Sequence, residues 1–249
     1  PSFWNWTALV DWLRNPISQS DVELHTVGID HLPLQYRIHV AMENSLQSAK
    51  EGALFQTSGV EFNYKTVSNS MLQETRRFGL VVISDLDIQG GALSPLGGEK
   101  RFVDWLPLKT DLPFQNCPQD IQDEIVKSGY CRLLLVTPAY FGGTNLSGNT
   151  LTGLGAEVIA TINNRFQTVS GWDYQKKRPK ATKHLVPAGS VFFLRLSDNR
   201  DKRKQFINQV WGQTIGDDPR MNSDGYGFSL LGNWDGKRRS MNMEESDDH

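Results

Sequence analysis

The sequence of 249 residues predicts a mixed fold of the α+β class, in which strands and helices follow one another along the chain. The continuous apolar run Val191–Leu196, rich in aromatic and β-branched residues, is typical of a central strand. From Asp198 to Trp211, apolar residues recur at helical spacing opposite a basic face, which predicts a helix. A second strand is predicted in the aromatic stretch 225–234, and residues 116–136 repeat the order of helix and strand.

The composition is that of a globular protein with one large domain or two small ones. Hydrophobic residues make up 38% of the chain and aromatic residues 10%, which is enough for a core. No apolar run reaches the length of about 18 residues that a membrane helix needs, and no signal peptide is evident, so we expect a cytoplasmic protein. Cys117 and Cys131 lack the spacing of a zinc site and are expected to be buried thiols.

The formal net charge of −2 argues against binding of nucleic acid by bulk electrostatics. Any such binding has to come from a local basic patch or from partner subunits. Residues 237–249 begin with three cations and end in an acidic stretch, and they are predicted to be a disordered charged tail.

The first hundred residues contain several predicted elements. The aromatic segment Phe3–Leu13 is compatible with a helix that ends before Pro16. Arg37 and His39 alternate with apolar residues and should point to the same side of one strand, either towards a ligand or simply towards solvent. Residues 77–88 carry apolar side chains at successive positions and are predicted to form another strand.

A glycine pair, Gly97 and Gly98, precedes two cations, Lys100 and Arg101. Such a turn exposes backbone N–H groups beside positive side chains, and this combination suits a phosphate. An internal ion pair between Glu99 and Arg101 is an equally good interpretation.

The middle of the chain is predicted to hold a helix from Asn116 to Tyr130, capped by the Asn116 side chain, and a buried strand at 131–136. Residues 154–162 and 166–169 are predicted to form a strand pair around two asparagines. Five cations follow between Lys176 and Lys183, near Trp172 and Tyr174. Cations for phosphates and rings for bases suit a nucleic-acid strand, although a basic loop is more often only solvated.

Two glycines, Gly225 and Gly227, flank Tyr226 at the start of the last predicted strand. Glycine tolerates positive backbone torsions and lets another backbone come close. The approaching backbone is either an RNA strand or a neighbouring protein loop.

Several motifs in the same order resemble a known family. They are residues 186–193 (VPAGSVFF), the GYGF at 225–228 with the GNW at 232–234, Arg37 followed by the EGALF at 51–55, and the LGGEKR at 96–101. Together they resemble the third subunit of the Cmr effector complex of type III-B CRISPR systems, a member of the RAMP superfamily. The resemblance extends from about Arg37 to Trp234 and is weakest between 109 and 152.

The resemblance implies a RAMP fold with ferredoxin-like, RRM-like βαββαβ domains and long inserted loops. It divides the chain into the remainder of an N-terminal RAMP domain at 1–110, a C-terminal RAMP-like domain at 111–236 and the tail. The family's first strand and helix are not found here, so we expect that the chain lacks an N-terminal part.

The function implied by the resemblance is that of a non-catalytic RNA-binding subunit in an antiviral ribonucleoprotein. It would help to hold the 5′ repeat-derived handle of the guide RNA and would bridge the large polymerase-like subunit to the backbone filament subunit. No cofactor, metal or membrane is implied. The candidate RNA-binding residues are Arg37, His39, Gly97, Gly98, Lys100, Arg101, Lys183, Gly225, Tyr226 and Gly227.

Two other functions stay open. The sequence has no P-loop, dinucleotide fingerprint, HExxH or GxSxG motif, but some RAMP relatives cleave RNA without a metal by using a histidine. His39 or His184 would serve that role in an endoribonuclease that processes repeat RNA. The third function is purely the bridging of protein partners.

Overall fold

The computed structural model describes residues 2–16, 24–43, 45, 47–65, 75–84, 90–91, 93–97, 101–108, 111–142 and 148–237. These residues form two compact units. The first unit contains described residues from 2–5 and 24–108, and the second contains those from 6–16 and 111–237. The mixture of helices and antiparallel strands confirms the α+β class.

The elements are numbered in chain order. The helices are α1 (Trp6–Arg14), α2 (Leu24–Val27), α3 (Gln119–Ser128), α4 (Gly148–Gly153), α5 (Arg200–Val210) and α6 (Pro219–Ser223). The strands of the first unit are β1 (Phe3–Trp4), β2 (Gly28–Ile29), β3 (Leu34–Glu43), β4 (Ser48–Val60), β5 (Asn63–Lys65), β6 (Thr75–Arg77), β7 (Leu93–Leu96) and β8 (Arg101–Asp104). Those of the second unit are β9 (Tyr130–Leu135), β10 (Ala156–Ile162), β11 (Gln167–Val169), β12 (Trp172–Asp173), β13 (Arg178–Pro179), β14 (Lys183–Leu185), β15 (Val191–Leu196), β16 (Gln213–Thr214) and β17 (Phe228–Asn233).

The second unit is built on a five-stranded antiparallel sheet in the order β10-β15-β9-β17-β16. If β9, β10, β15 and β17 are counted as first to fourth, the first and third strands lie in the centre and the second and fourth flank them. That is the strand order of a ferredoxin-like βαββαβ unit, with α4 in the first crossover and α5 in the second. The ferredoxin-like prediction is therefore confirmed for this unit.

Both faces of the central sheet are covered by helices. Ser229 donates a hydrogen bond to the carbonyl oxygen of Val210, which places α5 on one face. On the other face, the glycine at 232 lets the backbone of Leu13 in α1 come close, because a Cβ atom there would lie 2.8 Å from the Leu13 carbonyl oxygen. The strands β9, β15 and β17 are buried on both sides, and for that reason they appear in the sequence as continuous apolar runs.

The first unit contains, among its described residues, the short helix α2 and four two-stranded ribbons: β1 with β2, β3 with β4, β5 with β6, and β7 with β8. None of these described residues is fully buried, whereas the second unit holds a continuous core. A second ferredoxin-like sheet is thus not present in the described part of this unit. The longest ribbon, β3–β4, pairs Leu34 with Val60 and continues to Glu43 opposite Ser48.

Several element predictions are confirmed with small shifts in their ends: the strands β9, β15 and β17, and the helix α5. The opening helix is α1, which starts at Trp6 because Phe3 and Trp4 pair with β2 instead. The predicted cap of α3 is wrong, since the helix starts at Gln119 after Pro118, and no side chain caps it. Asn116 lies too far upstream, and the carbonyl oxygen of Pro118 accepts the first helical bond, from Gln122.

The predicted strand at 77–88 is wrong as far as the structure describes it. β6 ends at Arg77, and residues 78–84 form no strand; Leu80–Ile83 are exposed. Apolar side chains at successive positions favour a strand only where helices or another sheet cover both of its faces. Residues 80–83 are exposed, and no described strand pairs with them. Residues 85–88 lie outside the described residues.

The predicted pairing of 154–162 with 166–169 is also wrong, although both segments contain strands. β10 pairs with the central strand β15, and β11 pairs with β14. Pairing with the buried β15 covers more apolar surface than a short local hairpin would. Of the predicted tail, Lys237 is described, and residues 238–249 lie outside the described residues. No described helix has the length and apolar character needed to cross a membrane.

Candidate RNA interface

The β3–β4 ribbon in the first unit has one polar face. The register places Gln35 opposite Gly59, Arg37 opposite Thr57 and His39 opposite Phe55. Because cross-strand partners share a face and alternate residues along a strand do too, these side chains lie on one side of the ribbon. The predicted common orientation of Arg37 and His39 is therefore confirmed.

The side chains on this polar face are held by local contacts. Arg37 Nη2 donates to Gln35 Oε1 at 3.0 Å, and His39 Nε2 is hydrogen-bonded to Thr57 Oγ1 at 2.9 Å. The imidazole of His39 stacks on the ring of Phe55, with centroids 5.3 Å apart and planes inclined by 14°. Phe55 is 52% exposed, so the stacked pair presents an aromatic surface to solvent.

Arg101 joins the polar face from the β7–β8 hairpin. A Cβ atom built on Gly59 would lie 2.6 Å from Arg101 Cζ, so the guanidinium occupies the space that a side chain at position 59 would fill. Gly59 is paired with Gln35, which bonds Arg37. Two arginines that are 64 positions apart in the sequence (37 and 101) are thus brought to one face.

The glycine turn before Arg101 is only partly described. Gly97 directly follows β7 with a φ of +82°, a conformation that favours glycine, and no described atom lies within 4 Å of the place where its Cβ atom would be. Gly98, Glu99 and Lys100 lie outside the described residues.

Lys183, in the second unit, is engaged within the protein. Its ammonium group is bonded to the Asp218 carboxylate and lies 4.8 Å from the centroid of the Tyr140 ring. The hydrogen bond from Lys183 is the largest cause that lowers the pKa of Asp218. Asp218 also caps α6 by accepting from the backbone N–H of Arg220 and Met221.

The two glycines of the turn at 225–227 have different surroundings. A side chain on Gly227 would collide with the backbone of Ile215, so the neighbour that requires glycine here is a protein loop. Gly225 has a φ of +86° and open space around it, and its carbonyl oxygen accepts from Thr137 Oγ1 at 2.7 Å. Tyr226 is half-buried, and its N–H donates to the Met221 carbonyl oxygen.

The two cysteines and His184 all lie in the second unit. Cys131 is buried and Cys117 half-buried, both as free thiols, and burial raises the pKa of Cys117 to about 12. His184 Nδ1 lies 3.5 Å from Thr168 Oγ1. His39 and His184 belong to different units.

Phe55 and Gly59 are among the residues of the polar face that were absent from the sequence candidates. Phe55 lies on the same side of the ribbon as His39 because the register of β3 with β4 places the two residues opposite each other. Gly59 is important because it leaves space for the Arg101 guanidinium, which comes from a hairpin distant in the sequence. Neither relation can be read from local sequence periodicity.

The chain is similar to known proteins at two levels. A family model described as "CRISPR-associated protein (Cas_Cmr3)" matches residues 1–234. Among solved structures, a chain in "Cryo-EM structure of the Type III-B Cmr-beta bound to cognate target RNA" is 16% identical with a TM-score of 0.31. That match covers 65% of this chain and 44% of the other, which is less than half of its length.

No curated protein sequence matches the chain. The family model, in contrast, spans both units, the β3–β4 ribbon and the glycine turn at 225–227. The resemblance inferred from the separated sequence motifs is thereby confirmed, and the chain belongs to the family of CRISPR-associated proteins described as Cas_Cmr3.

Proposed function

We propose that this chain is a non-catalytic, RNA-binding subunit of a type III CRISPR effector complex. It helps to hold the 5′ repeat-derived handle of the guide RNA and bridges the large polymerase-like subunit to the backbone filament subunit. In RNA-guided complexes, base pairing reads the sequence while protein subunits hold the backbone and its shape. The role requires a surface for phosphates and bases and a second surface for protein.

The observation that carries the proposal is the meeting of Arg37, Arg101 and the His39–Phe55 stack on one face of the β3–β4 ribbon. A guanidinium group is planar and can donate two parallel hydrogen bonds to a phosphate. Exposed rings stack on unpaired bases regardless of sequence. A formal net charge of −2 for the whole chain makes such a local arrangement necessary for RNA binding.

The opposite face of the same ribbon supports the bridging role. Its apolar side chains are exposed, and Ile38 reaches 73% exposure. The set comprises Leu34, Tyr36, Ile38, Val40 and Leu54. An apolar face of this kind on a soluble subunit marks a contact with another protein. The ribbon would thus lie between RNA on one side and a partner subunit on the other.

The test is retention of guide RNA by the reconstituted effector complex. Arg37→Glu together with Arg101→Glu should weaken retention about tenfold and make it less dependent on salt, because two phosphate contacts are lost. Gly59→Val should also weaken retention, since it displaces the Arg101 guanidinium while leaving every charge in place. Complex assembly, followed by size-exclusion chromatography, should be unchanged in the arginine variant.

Two matched controls belong to this experiment. Lys202→Glu with Lys204→Glu also reverses two cations, both of them exposed on α5, and Gly153→Val adds the same side chain where a Cβ atom would meet no described atom. Both should retain guide RNA as the unaltered chain does. If the Arg37/Arg101 variant also retains RNA with unchanged salt dependence, the RNA-binding part of the proposal is wrong.

The competing functions predict other outcomes. Cleavage of repeat RNA by the purified chain, lost in His39→Ala or His184→Ala, would replace the non-catalytic role with that of an endoribonuclease. Partner binding that survives RNase and high salt, with no RNA retained by the unaltered chain, would leave protein bridging as the only function.

A further inference from the structure

A second ribbon in the other unit has features of a separate binding site. Residues 167–185 run out along β11 and β12 and return along β13 and β14. Trp172 pairs with Pro179 and Asp173 with Arg178 near the tip. This segment is called the basic ribbon below.

The tip of the basic ribbon has a defined conformation. Asp173 Oδ1 accepts hydrogen bonds from the backbone N–H groups of Gln175 and Lys176, at 3.1 and 3.0 Å. Lys177 completes the turn with a φ of +48°, and the N–H of Lys180 donates to the Gly171 carbonyl oxygen at 2.7 Å. The side chains around this turn are therefore displayed by a formed backbone.

The aromatic residues of the basic ribbon are exposed. Trp172 is 50% exposed and Tyr174 86%, whereas Trp211 in the core of the same unit is 3% exposed. Trp172 and Tyr174 have no ring contact or hydrogen bond among the described residues through their side chains. A large aromatic surface left in water favours a ligand that can stack on it.

The cations of the basic ribbon are also available. Lys176, Lys177 and Arg178 are exposed, and none of them has an ion pair in the described part of the chain. Lys183 differs, because Asp218 holds its ammonium group. Asp173 is the single acidic residue between 167 and 185, and its carboxylate is already bonded to the turn. The tip therefore carries an uncompensated positive charge on a chain whose net charge is negative.

We propose that the basic ribbon binds a single-stranded polynucleotide without reading its sequence. Bases would stack on Trp172 and Tyr174, and Lys176, Lys177 and Arg178 would contact phosphates of the same strand. A protein partner fits the tip poorly, since a stable protein interface needs about 800 Å² on each side and a two-stranded tip offers no groove or broad face. Duplex nucleic acid fits poorly as well, because its bases are already stacked.

This inference goes beyond the proposed function. The basic ribbon contains neither Arg37, His39 nor Arg101 and belongs to the other unit. A homopolymer has no repeat-derived handle, and variants of the basic ribbon leave the β3–β4 ribbon unchanged, so the part of homopolymer binding that these variants remove reports on the basic ribbon. Loss of handle retention and loss of homopolymer binding can therefore be separated.

The experiment measures binding of labelled oligouridine of about 15 nucleotides to the full chain by fluorescence anisotropy. Lys176→Gln with Lys177→Gln should weaken binding about tenfold and reduce the slope of log K against log salt by about 1.4, for two phosphate contacts on a single strand. Trp172→Leu should weaken binding about tenfold without changing that slope, and Trp172→Phe should restore most of it.

A control variant on α5 tests whether the loss of binding is specific to the basic ribbon. Lys202→Gln with Lys204→Gln removes the same charge from α5 and should bind as the unaltered chain does. Oligothymidine of equal length identifies the source of the strand: equal binding indicates any single strand, and a preference for uridine indicates RNA. Unchanged binding in the ribbon variants, an equal loss in the α5 control, stronger binding of a duplex or equal competition by polyglutamate would each overturn the proposal.

Discussion

At the scale of the residue, Arg132 in β9 is the most deeply buried charged residue of the described chain. It is 3% exposed, and Nε donates to the Asn233 carbonyl oxygen at 2.8 Å, while Nη2 donates to those of Trp12 and Leu13. The guanidinium also lies 4.3 Å from the centroid of the Trp12 ring. Burial lowers the pKa of Arg132 to about 10, so it stays protonated at neutral pH and neutralises the negative C-terminal end of α1.

We predict that Arg132→Met lowers the free energy of unfolding by about 3 kcal/mol, because buried carbonyl oxygens lose their charged donor. Chemical denaturation monitored by tryptophan fluorescence measures the change. Arg195→Met is the matched control, since Arg195 is an exposed residue of the neighbouring strand with an ion pair to Glu157. It should cost at most about 1 kcal/mol, and an equal loss in both variants would contradict this role of Arg132.

At the scale of the element, α1 depends on contacts at its end as well as on its apolar side. The Arg14 guanidinium, in the last turn, donates to Asp120 on α3 at 2.6 Å. The hydrogen bond from Arg14 is the largest cause that lowers the pKa of Asp120 from its usual 3.8. A carboxylate with a lowered pKa stabilises the fold above its unfolded pKa, and that stabilisation is lost as the pH falls through the folded value.

We therefore predict a pH-dependent coupling between Arg14 and Asp120. A double-mutant cycle with Arg14→Met and Asp120→Asn should give a coupling free energy of up to about 1 kcal/mol at neutral pH, as for other exposed pairs. The coupling should fade as the pH is lowered below 3.8, where Asp120 becomes protonated. A coupling that is the same at pH 7 and in acid, measured by urea denaturation, would argue against this ion pair.

At the scale of the whole molecule, the two units differ in how they are stabilised. The second unit has a core of buried side chains from α1, α3, α5 and the central sheet. The described residues of the first unit form two-stranded ribbons and include no fully buried side chain. An isolated two-stranded ribbon is only marginally stable in water, so the first unit should gain order from the partners that we propose for it.

Hydrogen exchange tests this difference. In the isolated chain, amides of β3 and β4 should exchange far faster than those of β9 and β15, since only the latter lie in a buried sheet. Assembly with the proposed partner subunits and guide RNA should slow exchange in β3 and β4. Equal protection of the ribbon and the central sheet in the isolated chain would show that the first unit needs no partner.

The elements that were predicted correctly from the sequence are those that are buried in the fold. The strands β9, β15 and β17 were predicted because a strand covered on both faces has a continuous apolar sequence. The strand at 77–88 failed for the complementary reason, since its apolar residues have no covering partner in the described structure. Strand pairing failed for β10, because it depends on which distant strand offers the larger apolar surface.

The candidate site was predictable in its parts and not in its arrangement. The polarity of Arg37, His39 and Arg101 is visible in the sequence, whereas the meeting of Arg101 with the β3–β4 ribbon depends on the empty space at Gly59. Lys183 looked like its basic neighbours, yet Asp218, 35 positions further on, holds it within the protein.

The sequence by itself determined the α+β class, the central strands and the family, because these depend on local periodicity and on motifs that keep their order along the chain. Only the tertiary structure decided which cations remain available, which glycine faces protein and which strands pair. Those properties depend on contacts between residues far apart in the chain, and no local pattern of side chains specifies them.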